Sequence, residues 1–237
     1  MEDLNFIDAI ILLVILLGGV IGFKDGVIKR LTSVIGLVIV VILSFILKNY
    51  LSVIFYENLP FLSLWGIFKG VQVLNIIFYE VLAFIIVSSI LMIVYRILLM
   101  VTGLLEKILK ATIILSIPSK LLGFFVGIIE NYIWVYLVLF VLTLPMFNIS
   151  DIYNSKTAMF ILKETPVLSR YTSKTVGIYQ EIYDIIDNKG NKSTEQVNEE
   201  ALDMMLKYEI ITVESTDKLI EKNKIEINNK SFIDKYR

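Results

Sequence analysis

The 237-residue chain has no cysteine, no histidine and only four prolines. Without cysteine there are no disulfides and no thiolate chemistry, and the chain suits an oxidising or a reducing compartment. Without histidine, the commonest general base and the commonest metal ligand are both missing. Charge of one sign is missing too: 22 Lys and Arg stand against 23 Asp and Glu, so nothing electrostatic supports binding to nucleic acid. No Walker loop, Rossmann glycine pattern or zinc-ligand spacing occurs. Ser215-Thr216-Asp217-Lys218 matches the S-x-x-K signature of some acyl enzymes. Its companion motifs are missing, and a serine opening a short helix is the ordinary explanation. The residues therefore call for no catalytic set, no cofactor and no metal.

What is abundant is apolar sequence. Hydrophobic residues make up 57% of the chain and the mean hydropathy is +0.77, against roughly 45–50% apolar residues in a soluble domain. Their distribution decides what they build. Residues 1–147 carry 17 charges, nine basic and eight acidic, whereas residues 148–237 carry the other 28. The change falls near Pro145–Ser150 and divides a membrane domain, 1–147, from a helical tail, 148–237.

A bilayer core of about 30 Å needs roughly 20 mostly apolar helical residues. Four blocks qualify: Phe6 to Phe23, Leu31 to Leu47 with an extension towards Tyr56, about Val71 to Leu105, and a stretch between Pro118 and Phe147. Backbone without water to bond must be helical there. The expected fold is all-α, a polytopic membrane protein with about four transmembrane helices and a small helical C-terminal region. The leader Met1-Glu2-Asp3 is acidic and no small-residue cleavage site follows, so the first block reads as a retained span.

Lysines and arginines give an orientation. Lys24, Lys29 and Arg30 fall within seven residues in the first connection, and Arg96, Lys107, Lys110 and Lys120 lie around the third. The second has only Lys48 and Lys69, spread over more than twenty residues. The positive-inside tendency places the first and third connections in the cytoplasm and both termini and the tail outside. Tyr50, Phe55, Tyr56, Phe61, Trp65 and Phe68 in the second connection suit an outer aromatic belt.

The opening reads Asn5-Phe6-Ile7-Asp8, then an apolar run to Ile21-Gly22-Phe23-Lys24-Asp25-Gly26, then Leu31 and Ile35-Gly36. Later come Leu104-Leu105-Glu106-Lys107, Lys120-Leu121-Leu122-Gly123-x-x-x-Gly127, and Phe160 to Ser169 with Thr165-Pro166. In order and spacing, over about residues 4–170, this resembles the colicin V production protein (CvpA) family. Two positions depart from it. Asp25 stands where the family commonly has a basic residue, and Glu130-Asn131 where it commonly has Arg-Gly. No role resting on that arginine carries over. Some relatives join the four-span unit to an extracytoplasmic serine protease, but this tail has no Ser-His-Asp set, so that activity does not transfer. The resemblance implies a place in the production or export of a peptide toxin and in envelope physiology.

Gly18, Gly22 and Gly26 share one helical face, and Gly123 and Gly127 repeat the spacing. Small residues four apart let helices approach closely in lipid, so these read as helix-packing positions, within one subunit or between copies. Four charges interrupt the spans. Asp8 follows Asn5 at capping-box spacing and suits the positive end of the helix dipole; a proton or cation site is the alternative. Glu80 and Arg96 are sixteen residues apart, about 24 Å along a helix, so each reads as snorkelling to opposite interfaces rather than pairing with the other. Glu130 lies about 18 Å along a helix that starts at Pro118, near mid-membrane, or meets headgroups if the span starts near Asn131. A functional Glu130 predicts that Glu130→Gln changes phenotype without lowering membrane abundance.

Two functions follow. One is a non-enzymatic accessory or scaffold of the cytoplasmic membrane, with the lipid bilayer, copies of itself and secretion or envelope proteins as partners. The other is an oligomeric channel or small-solute transporter with Glu80, Arg96 or Glu130 on the pathway. A membrane-embedded protease would need a His-Asp, Ser-Lys or paired-Asp arrangement within the spans, and none is visible. In the tail, residues 150–187 read as helical with a break near Pro166, Ser193 with Gln196 as a helix start, and Thr216–Lys222 as a last helix. The end after Ile227 reads as loose.

Overall fold

The computed structural model describes residues 6–62, 71–101, 117–143, 149–188, 190 and 192–237, with the side chains of 150 and 171–175 excepted. Trp65, Phe68, Lys69, Asn5, the run 104–107, Lys110 and the expected domain break at Pro145 lie outside the described residues.

Four helices are long and apolar enough to cross a membrane: α1 (Phe6–Asp25), α2 (Val27–Asn58), α3 (Leu74–Val101) and α4 (Ile117–Leu142). The described residues contain no strand, so the chain is all-α and polytopic, as its sequence predicts. The outward faces of the spans remain apolar, with Leu13, Leu16, Val20, Ile39, Ile93 and Phe125 all exposed, as a hydrocarbon environment requires.

The first connection is shorter than the charges suggest. Only Gly26 separates α1 from α2, at φ 81°, where a side chain would be disfavoured. Its N–H still bonds the Gly22 carbonyl at 2.9 Å, and the N–H of Val27 is taken by Ser119 Oγ at 3.2 Å. Lys24 therefore lies in the last turn of α1, while Lys29 and Arg30 lie in the first turn of α2. The second connection is shorter too. At 32 residues, α2 is about 48 Å long and outruns a bilayer core. Lys48, Tyr50, Phe55 and Tyr56, expected in a connection, belong to it. Tyr50 is exposed, but Tyr56 is buried beneath the tail rather than standing in an interfacial belt.

The tail comprises α5 (Ser150–Asn154), α6 (Lys156–Glu164), α7 (Leu168–Asp187), α8 (Thr194–Lys207), α9 (Val213–Glu221) and a 3-10 turn, Ile233–Tyr236. It caps the side of the bundle where α1 and α3 begin and α2 and α4 end. Ser215 Oγ donates to the Glu57 carboxylate at 2.8 Å. The ammonium groups of Lys222 and Lys224 donate to the carbonyls of Glu57, Tyr56 and Leu59, satisfying the open end of α2. Asn198 bonds Gln72 and the Glu226 carbonyl, and the Phe140 and Tyr179 rings meet at 6.2 Å. One apolar core thus runs from the spans into the tail.

Ser193 and Gln196 form the capping box read from the sequence. Ser215 does not open its helix: Thr212 caps α9, and Ser215 is buried against α2 instead. The C-terminal segment is not loose, because Ile233 is buried and Tyr236 donates to Asp203. At Pro166 the break is a γ-turn, with Val167 at φ 70° and Leu168 N–H on the Pro166 carbonyl at 2.8 Å.

Candidate functional site

Helices α1 and α4 run antiparallel in backbone contact. Gly18 faces Gly127, and Gly22 faces Gly123, so that a Cβ on any of the four would strike the opposing backbone carbonyl. Gly26 closes the row against Gly123. Asn131, one turn beyond Gly127, donates its amide to the Val14 carbonyl at 2.7 Å. The five glycines read from the sequence are thus brought to one seam, within a subunit.

That seam places α4 beside the first turns of α2, and there a charged cluster forms. Glu130 is 7% exposed. Its Oε2 accepts from Arg30 Nη1 at 2.6 Å, and its Oε1 from Ser33 Oγ at 2.7 Å. The other guanidinium nitrogen, Nη2, donates to Asp25 at 2.5 Å, and Lys29 donates to the same carboxylate at 3.0 Å. Arg30 therefore bridges two carboxylates, a geometry its planar fork permits and a lysine could not copy. Helix α4 is continuous from Ile117, which puts Glu130 about 20 Å along it and buried within the bundle. Sequence reasoning counted Arg30 as an orientation charge and missed it as a partner. The usable signal was Arg30 and Ser33, three apart on one face of α2 just inside a span.

A second, partly buried pair joins α2 to α3. Lys48 donates to Glu80 at 3.0 Å, and Glu80 is 5% exposed. Glu80 is thus buried and paired, because the lysine placed in the second connection is a rung of α2 that reaches it. The fully buried Tyr179 from the tail lies nearby. Its burial, and then the Glu80 charge, hold its phenol well above the usual range, so it stays protonated. Arg96 is different: exposed, near the far end of α3, and with no partner among the described residues.

Asp8 is buried at the start of α1 and tied to the tail. It accepts from Ser155 Oγ at 2.5 Å and from the Thr157 N–H at 3.3 Å, while Ser155 itself caps α6 through the Ala158 N–H. A capping bond from Asn5 lies outside the described residues. Asp8→Asn keeps the shape and removes the charge behind two hydrogen bonds, a loss of about 1.5–3 kcal/mol. We expect faster trypsin cleavage of the tail in detergent, with helix content unchanged; wild-type cleavage rates would show that Asp8 does not anchor it.

Two carboxylate–cation clusters and the tail contacts of Asp8 and Glu57 thus account for the acidic residues described within the spans, and no group of three or more acidic residues that could hold a metal occurs among the described residues. No curated protein and no solved structure matches the chain. The family model described as Colicin V production protein matches residues 7–166, which include all four spans, the seam and both clusters, and the chain belongs to that family.

Proposed function

We propose that the protein is a non-enzymatic scaffold of the cytoplasmic membrane, working through protein partners in toxin production or export and in envelope maintenance. The observation that carries this reading is the state of the intramembrane carboxylates: Asp8, Asp25, Glu80 and Glu130 are each held by groups of the same chain. Carboxylates spent on cations and hydroxyls lend rigidity and register, and are poorly placed to serve as a general base or to line a conduction path. The family supports the physiological setting. Both termini face outward in this reading, because Lys24, Lys29, Arg30 and Lys120 gather at the bundle end opposite the tail.

The absence of cysteine makes the arrangement easy to test. A single cysteine at exposed Lys230 should react with a membrane-impermeant maleimide in intact cells. Crosslinking through the same cysteine, followed by purification in mild detergent, should recover a secretion or envelope protein. A tail labelled only after lysis, or recovery of the chain alone together with solute flux in reconstituted vesicles, would sink the scaffold reading.

A further inference from the structure

Helix α2 packs on both α3 and α4, but α3 and α4 barely pack on each other. They approach through the Phe84 and Phe140 rings, 6.3 Å apart, and elsewhere leave a cleft of about 520 Å³ open to the side. Its floor is Leu37 and Val41 of α2, and its walls include Met92 and Ile93 of α3 and Trp134 and Val138 of α4. Ser88 and Ser89 also line it, but both hydroxyls bond back to the Ile85 carbonyl at 3.0 and 2.7 Å, so the wall they form is apolar. The volume is that of a ligand pocket. Facing hydrocarbon, such a space cannot stay empty without forfeiting the contacts of its lining.

Among the described residues, Arg96 is the one charged residue lining this cleft. It follows Leu74 by 22 residues, about 33 Å along α3, at the bundle end far from the tail and therefore at headgroup depth. Its guanidinium is exposed and has no partner among the described residues, while Asp25, Glu80 and Glu130 are already engaged. A second copy of the chain would bring the same engaged carboxylates, and so no described anion to meet Arg96. A phospholipid brings an acyl chain for the cleft and a phosphate for the bidentate fork in one molecule. We infer that the cleft between α3 and α4 is a binding site for an anionic phospholipid of the leaflet opposite the tail, with its acyl chain along Trp134 and its phosphate on Arg96.

Trp134 is one of only two tryptophans, so Trp65→Phe makes it the sole reporter. Protein reconstituted in zwitterionic vesicles would receive a low fraction of phospholipid brominated on its acyl chains, either phosphatidylglycerol or phosphatidylcholine. The expected result is that the anionic lipid reaches half-maximal quenching of Trp134 at a membrane fraction about fivefold lower. Arg96→Gln should remove that preference and Arg96→Lys should retain part of it. Equal quenching by the two lipids in the arginine form overturns the inference whatever the variants do. So does a preference that survives Arg96→Gln, or a Trp134 that neither lipid quenches because another copy covers the cleft.

Discussion

Gly22→Leu should leave little folded protein in the membrane. The side chain would have to enter where the Gly22 Cα faces the Gly123 carbonyl and the Gly127 Cα, and every obstructing atom is backbone. Overpacking typically destabilises by about 1–3 kcal/mol when neighbouring side chains can shift. Here only separation of α1 from α4 relieves the clash, so the upper end of that range is the starting point. Separation would also strand Asn131, whose amide needs the Val14 carbonyl, and pull Ser119 from the Val27 N–H. Gly177→Ala is the internal control. A Cβ there meets nothing within 4 Å, and α7 gains about 0.5–1 kcal/mol from a better helix former. The measurement is monodisperse protein per cell after detergent extraction, with a thermal unfolding midpoint. Equal yields and midpoints for Gly22→Leu and wild type would mean that the seam does not hold the bundle together.

The seam was legible in the sequence only as a face. Spacing of four identifies a strip of small residues on α1 and another on α4, but not that each strip meets the other. That pairing depends on an antiparallel approach 105 residues apart, Gly22 to Gly127, which no local pattern encodes. The spans were legible because length and apolarity are set by the bilayer and not by neighbours. Their ends were less so. Lys29, Arg30 and Lys48 look like connection residues to a reader who lets charge end a span, yet each is a helical rung whose charge is met or whose long stem reaches a carboxylate. The tail shows the same limit. The Ser193 capping box is local chemistry and could be read directly, whereas the burial of Tyr56 under Ser215 joins residues 159 apart.

Breaking the Arg30–Glu130 bridge one side at a time should destabilise the protein more than removing both sides together. Among the described residues, Glu130→Gln leaves the half-buried Arg30 with Asp25 alone, and Arg30→Gln leaves the buried Glu130 with only the Ser33 hydroxyl. Losing one partner of a buried pair typically costs about 3–5 kcal/mol, whereas replacing both charges is often close to neutral. The double variant Arg30→Gln with Glu130→Gln should therefore recover most of the midpoint lost by either single change, so that the coupling between the two sites exceeds either single loss. A functional Glu130, read from the sequence, predicts that Glu130→Gln spares abundance; the bridge predicts a cost instead, because a buried carboxylate hydrogen-bonded to a half-buried guanidinium is not neutralised without consequence. The cycle also separates structure from function. If the stable double variant still supports toxin production or envelope integrity in cells, the bridge serves to fix the register of α2 against α4. If it is stable and inactive, the charges themselves are used. Additive losses, with the double variant as unstable as the sum of the singles, would show that Arg30 and Glu130 do not act as a pair at all.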